Sequence, residues 1–290
     1  MTPNQTAAKV LDGKWVRDQI LAELKPRIEK LTAARRPPGL AVVLVGHDPG
    51  SEIYVRTKIK TCGDLGIYSE KITPPETVTT EDLLGIIEGL NQRPEIDGIL
   101  VQTPLPPQVN KYRVLLGIQP DKDVDGFHPL NVGKLIADMP APQACTPAGI
   151  LEMLRRYDIP VAGRRAVVVG RSDIVGKPVA LLLLHQNATV TICHSKTSNL
   201  AEECRRADIL VAAIGRAAML TRDYIKPGAV VIDVGMNRKA DGKLVGDVDP
   251  EAMKELASAY TPVPGGVGPL TIAMLMANTV QIAEQHLCSA

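Results

Sequence analysis

Apolar residues recur along this chain in two alternating modes. Val16, Ile20, Leu24, Ile28 and Leu31 return every three or four residues, the period of a helix with one buried face. Leu40 to Val45 is an unbroken aliphatic run that ends at Gly46 and reads as a strand. Helical spacing resumes over residues 51–66 through Ile53, Lys58, Cys62 and Leu65, with Gly66 placed for a C-cap. Thr79 with Asp82 three residues on resembles a capping box ahead of Leu83, Ile86 and Ile87. Ile99 to Gln102 is another predicted strand. Strand, helix, strand in that order predicts parallel pairing through helical crossovers.

From Pro104 to Pro147 the chain is rich in proline and has little periodicity, so loops are expected, either around a site or as plain connection. The alternation then restarts with a helix over 148–157. Strands are predicted over 166–169, 189–193, 209–213 and 230–234, the outline of a nucleotide-binding α/β unit. A last helix, roughly 270–286, follows a Pro/Gly loop and is free to pack on either half.

Length and composition narrow this to an ordinary globular protein. The 290 residues suit one large domain or two modest ones. Thirty-three basic against thirty-two acidic side chains leave a net charge of +1, which gives no general field for a nucleic-acid backbone or an anionic membrane. One Phe, one Trp and six Tyr are too few for base-stacking platforms. No apolar run is long enough to span a bilayer, and the amino terminus lacks a secretory pattern. The five cysteines show no CxxC spacing and read as reduced thiols in a cytoplasmic protein. The five histidines show no zinc-ligand spacing, so no metal is expected.

Four segments carry candidate chemistry. In the first, a strand turns at Gly170 and a helix starts near Gly176, with Arg171 and Ser172 between them. Free amides at that helix start favour a phosphate, although the spacing is not GxGxxG and an ordinary βα turn looks the same. The next strand ends at Cys193-His194-Ser195-Lys196 with no acid for ribose hydroxyls, a set that suits the 2′-phosphate of NADP or else a solvated loop. The second segment pairs Tyr54 with Lys58 on one helix face, with Gln102 in reach. A lysine in an apolar cleft is a candidate base, and an exposed lysine is the plain alternative. The third, Asp121-Lys-Asp-Val-Asp125-Gly126, has a calcium loop's alternation but no glutamate at the twelfth place; an acid aimed at a ligand amine fits equally. The fourth, residues 261–269, lets a ligand approach main chain closely or serves as a rigid hinge.

Taken together, these blocks resemble the bifunctional methylenetetrahydrofolate dehydrogenase/methenyltetrahydrofolate cyclohydrolase family, the FolD family, in order and across nearly the whole chain. The matching runs are Tyr54-Val-Arg-Thr-Lys58, Gly98-Ile-Leu-Val-Gln102-Thr-Pro-Leu-Pro106, Asp121 to Gly126, Gly170-Arg-Ser-Asp-Ile-Val-Gly176 and Pro262 to Pro269. The resemblance implies a two-lobed α/β protein with a cleft between the lobes. Its amino-terminal folate and catalytic lobe would take residues 1–147, and the 270–290 helix would return to it. A Rossmann-like parallel-sheet lobe for NADP would take 148–269 and commonly carries a homodimer contact. The implied catalytic set is Lys58, Gln102, Tyr54 and Asp125, with Pro264, Gly265 and Gly266 also on the tetrahydrofolate substrate. The implied cofactor set is Gly170, Arg171, Ser172, Gly176, His194, Ser195, Ile214 and Gly215. No nucleic-acid or membrane partner is implied.

Overall fold

The computed structural model describes residues 7–239 and 241–289. Its first half runs β1 (Lys9–Val10), α1 (Gly13–Ala34), β2 (Gly39–Val43), α2 (Pro49–Leu65), β3 (Tyr68–Ile72), α3 (Thr80–Asn91), β4 (Gly98–Val101), α4 (Lys111–Gly117) and α5 (Pro129–Ile136). Its second half runs α6 (Cys145–Arg156), β5 (Arg165–Val169), α7 (Gly176–His185), β6 (Thr189–Cys193), α8 (Leu200–Arg205), β7 (Ile209–Ala212), β8 (Val230–Asp233), β9 (Asn237–Arg238), β10 (Leu244–Val245), α9 (Pro250–Leu256), β11 (Ala259–Tyr260) and α10 (Gly268–Ser289). The chain divides into two units: residues 19–145 with the chain from Ile272 on, and the described residues up to Asp18 with 146–271.

The 19–145 unit is built on a three-stranded parallel sheet in the order β3-β2-β4. Central β2 is buried along its length, and its Ala41 and Val43 pack with Leu83, Ile87 and Ile99. Helix α2 starts where Asp48 accepts the Ser51 N–H, with Pro49 in the first turn, and closes on Gly66 in the left-handed region. Thr79 caps α3 as its spacing predicts, accepting from the Asp82 N–H. The proline-rich segment expected to be loop also forms the short helices α4 and α5. Asn110 caps the first; the second opens on Pro129, where a missing N–H is no loss.

Helix α10, from Ile272 on, belongs with this unit. Asn278 donates to the carbonyls of Val124 (2.8 Å) and Gln143 (2.9 Å), and Glu284 pairs with Arg27 at 2.7 Å.

The other unit carries a six-stranded parallel sheet in the order β1-β11-β8-β7-β5-β6, with β9 and β10 as a separate antiparallel hairpin. From β5 the chain goes to β6 on one side and then returns to β7 on the other. That reversal makes a crevice beyond the carboxyl ends of β5 and β7, the usual ligand position in an open α/β sheet. The unit's bounds differ from the sequence reading at the amino end. Strand β1 is placed here because its main chain pairs in parallel with β11, with Lys9 opposite Ala259. Two residues, Lys9 and Val10, are too few to show a periodicity.

Candidate functional site

Helix α2 buries Val55, Lys58, Cys62 and Leu65 on one face. Lys58 is thus an amine carried inward by its helical phase, only 7% exposed. Its Nζ donates to Gln102 Oε1 at 2.9 Å and stands 5.5 Å from the centroid of the Tyr54 ring, one turn back. Gln102 follows β4, and its main-chain N–H bonds to the Val43 carbonyl. Its side-chain amide donates to the Thr103 carbonyl at 2.7 Å, which turns the oxygen toward the lysine. Burial raises the Tyr54 phenol and keeps it neutral.

The aspartate-rich turn sorts into three roles. Lys122 is buried and donates to the carbonyls of Asn91 (2.7 Å), Arg93 (2.8 Å) and Leu90 (3.4 Å), capping the carboxyl end of α3. Asp123 accepts from the N–H groups of Gly126 and His128 and from the Asn131 amide, which fixes the turn. Asp125 is left for the site. Burial pushes its carboxyl up to about 6; Lys58 holds it back in part and Asp123 adds to the rise. Lys122 and Asp123 therefore serve the fold, and the calcium reading loses a ligand to internal hydrogen bonds. Among the described residues no three His, Cys, Asp or Glu side chains are grouped to hold a metal ion.

In the other unit, the crevice holds the glycine loop and the segment after β7 side by side. A Cβ at Gly170 would stand 2.2 Å from the Ala213 carbonyl oxygen, and one at Gly176 would stand 2.3 Å from the Gly170 oxygen. Only glycine lets these stretches of main chain meet. Ser172 Oγ accepts from the N–H groups of Val175 (3.2 Å) and Gly176 (3.3 Å), so this hydroxyl shapes the loop. Arg171, Ser195 and Lys196 are exposed at the crevice end of β5 and β6, and His194 Nδ1 accepts from the Lys196 N–H. No acid stands at that strand end. A dinucleotide fits this set: close main chain for its phosphates and two free-standing cations for an extra one.

Ile214 and Gly215, expected on the cofactor, have both N–H groups turned to buried Asp247. Sequence reading missed Asp247 and its companion Asp233, although an acid at the end of an apolar strand (Ile232-Asp233) and Gly246-Asp247 were visible signals. Pro264 and Gly265 lie in the loop before α10. There the Gly13 N–H bonds to the Gly265 carbonyl at 2.9 Å, and a Cβ on Gly13 would meet the Gly266 oxygen at 1.6 Å.

Comparison with known proteins joins these parts. Residues 11–125 match the family model for the tetrahydrofolate dehydrogenase/cyclohydrolase catalytic domain, and 144–287 match the model for the NAD(P)-binding domain. A bifunctional protein FolD of Solibacter usitatus is 66% identical, over 96% of this chain and 98% of its own. The crystal structure of the bifunctional enzyme FolD from Campylobacter jejuni is similar at a TM-score of 0.95 and 45% identity, over 96% of this chain and 99% of that one. The Trypanosoma brucei enzyme, crystallised with NADP cofactor and an inhibitor, is similar at 0.92 and 38%, over 98% and 99%.

Proposed function

The chain belongs to the tetrahydrofolate dehydrogenase/cyclohydrolase family, and on that premise we propose that it performs both reactions in succession. It oxidises 5,10-methylenetetrahydrofolate to the 5,10-methenyl form with NADP, then hydrolyses that form to 10-formyltetrahydrofolate, within one-carbon folate metabolism. The observation that carries this reading is Lys58, buried on the Tyr54 face with its nitrogen on Gln102 Oε1.

Bound NADP supplies a two-electron acceptor. The folate's own nitrogen lone pair drives the first step, so the residues' task there is to hold the pterin and its one-carbon bridge in place. Tyr54 offers a flat face for stacking and Asp125 an acceptor for pterin N–H donors. Arg171, Ser195 and Lys196 would grip the 2′-phosphate, a charge-assisted contact that the ribose hydroxyl of NAD does not return. In the second step water adds to the methenyl carbon, loses a proton, and the ring opens as a nitrogen gains one. Lys58, oriented by Gln102, is the group in place to move that proton.

Exposed Ile192 (43%) on edge strand β6 and Leu184 (53%) on α7 support a homodimer through the NADP-binding domain. The five free cysteines suit a reducing compartment and support a cytoplasmic protein. No described helix is long and apolar enough to cross a membrane.

Mixing the protein with 5,10-methylenetetrahydrofolate and NADP while following the methenyl absorbance band tests the reading. The band should rise, then decay faster than methenyltetrahydrofolate decays in buffer. No rise overturns the dehydrogenase; decay at the buffer rate overturns the cyclohydrolase.

A further inference from the structure

The turn after β7 ends in three consecutive N–H groups that converge on one side chain. Ile214 and Gly215 donate to Asp247 Oδ2 at 2.7 and 3.0 Å, and Arg216 donates to Oδ1 at 2.8 Å. Gly215 takes the left-handed conformation, φ +67°, that such a concave turn needs. Successive N–H groups curled in this way form a nest for an anion. Here the anion is the protein's own, fully buried. A fourth donor, the Asn237 amide on β9, closes the carboxylate at 2.9 Å.

Asp247 is itself held from behind. Its N–H and that of Gly235 donate to Asp233 Oδ1 at 2.8 and 2.9 Å, and the Val248 N–H donates to Asp233 Oδ2 at 2.9 Å. Asp233 ends β8 beside β7 in the sheet, so the fixed point is a central strand. A Cβ at Gly246 would stand 1.8 Å from Asp233 Oδ2, so main chain and carboxylate are in direct contact. The 214–220 segment also runs along the segment after β10, with Ala218 N–H on the Gly246 carbonyl and Leu220 N–H on the Asp247 carbonyl, both at 2.9 Å. Two buried carboxylates are a costly way to add stability. Burial pushes Asp233 up to about 6 despite its three N–H partners. What this arrangement does supply is a loop whose position is set from the sheet.

We infer that Asp247, seated on Asp233 and presented by the β9–β10 hairpin, is a positioning residue that preforms the 214–216 loop for the nicotinamide dinucleotide. The inference rests on the proposed use of NADP. It follows that this loop is not a phosphate site: its nest is already filled, and its carbonyl oxygens are what it has left to offer. It therefore suits a donor on the cofactor, such as an amide or a hydroxyl, while the phosphates fall to the 170–176 loop across the crevice.

Two variants, Asp247→Ala and Asp247→Asn, and a hairpin control, Asp241→Asn, test this by amide exchange and NADP binding. In the NADP-free protein, the Ile214, Gly215 and Arg216 amides should exchange at least tenfold faster in Asp247→Ala, with the β8 amides still protected. The NADP dissociation constant and KM should rise tenfold or more, while kcat for hydrolysis of supplied methenyltetrahydrofolate, which takes no NADP, should change far less. Asp247→Asn keeps one acceptor oxygen and should fall between wild type and Asp247→Ala; Asp241→Asn should follow wild type. Unchanged exchange in the loop, or NADP affinity within twofold of wild type in both Asp247 variants, overturns the inference. Equal loss of both activities would make Asp247 merely a structural residue and overturn it as well. A wild-type protein that does not bind NADP would instead remove the functional reading while leaving the exchange result to stand.

Discussion

On the proposed roles, Lys58 and Gln102 should matter unequally to the two steps, because only hydrolysis needs a proton carried. Lys58→Gln should lower methenyl hydrolysis by ~10²–10⁴-fold, the usual worth of a placed acid or base, and leave hydride transfer much less affected. Matched losses would make Lys58 a binding residue. Asp125 gives a second residue-scale test through its carboxyl, raised from 3.8 to about 6 by burial. Between those values the native protein holds more protons than the unfolded chain. Its contribution to stability is therefore complete below about pH 4 and lost as pH rises through about 6. Asp125→Asn removes that titration, so the variant should gain on wild type by ~1–3 kcal/mol between about pH 4.5 and 7.5, while its folate KM rises. Parallel stability curves for the two proteins would rule out the raised carboxyl. Arg171 belongs at this scale too, since a guanidinium–phosphate contact contributes ~1.5–3 kcal/mol. Arg171→Ala should pull the NADP/NAD ratio of kcat/KM toward one, mainly by weakening NADP. A ratio that does not move would place the 2′-phosphate elsewhere.

Elements whose signal lies in their own residues are legible from the amino-acid pattern alone. Helix α2 shows Lys58, Cys62 and Leu65 at helical spacing, although Ile53, read with them, is exposed and Val55 takes the buried place; β5 is an aliphatic run after Arg165, and the Thr79 cap lies at the right distance from Asp82. Strand β3 is not legible in this way, because Tyr68-Ser-Glu-Lys-Ile72 is a sheet edge that carries its charges outward. Helices α4 and α5 are hidden by prolines that flank or open them. In the site, Tyr54, Lys58 and Gln102 can be named from pattern and resemblance. For Asp247 the pattern shows an acid after Gly246 but not its role, which is to receive main-chain N–H groups from more than thirty residues away. Lys122 shows the same effect in an element: a charged residue in an acidic turn is in fact the cap of α3. Lys122→Met should cost about 1.5–3 kcal/mol, for charge-assisted bonds lost to three helix-end carbonyls, read from the urea midpoint. A shift below about 0.5 kcal/mol would mean that water replaces the ammonium there.

For the whole molecule, the two edges of the six-stranded sheet are unequal. At one end, β1 is only two residues long and carries Lys9, and both features discourage pairing with another chain. At the other, strand β6 is five residues, Thr189-Val-Thr-Ile-Cys193, without proline or charge, and in the described sheet it bonds only to β5. Its outer N–H and C=O groups therefore need water or a partner. Thr191 and Ile192 are exposed along it, and Leu184 of the neighbouring helix adds a further apolar side chain. A closed dimer uses the same patch on both copies about a two-fold axis, and a strand that meets its own copy that way pairs antiparallel. Such pairing satisfies both edges at once and leaves none free to recruit a third chain. Ile192→Lys puts a charge on the exposed edge strand of each copy, and pairing the two strands would bring these like charges close together and out of water. The wild-type protein should sediment at twice the chain mass and Ile192→Lys at the single mass at micromolar concentration. A wild-type monomer, or an Ile192→Lys protein that sediments as a dimer, would mean that the edge is covered in another way.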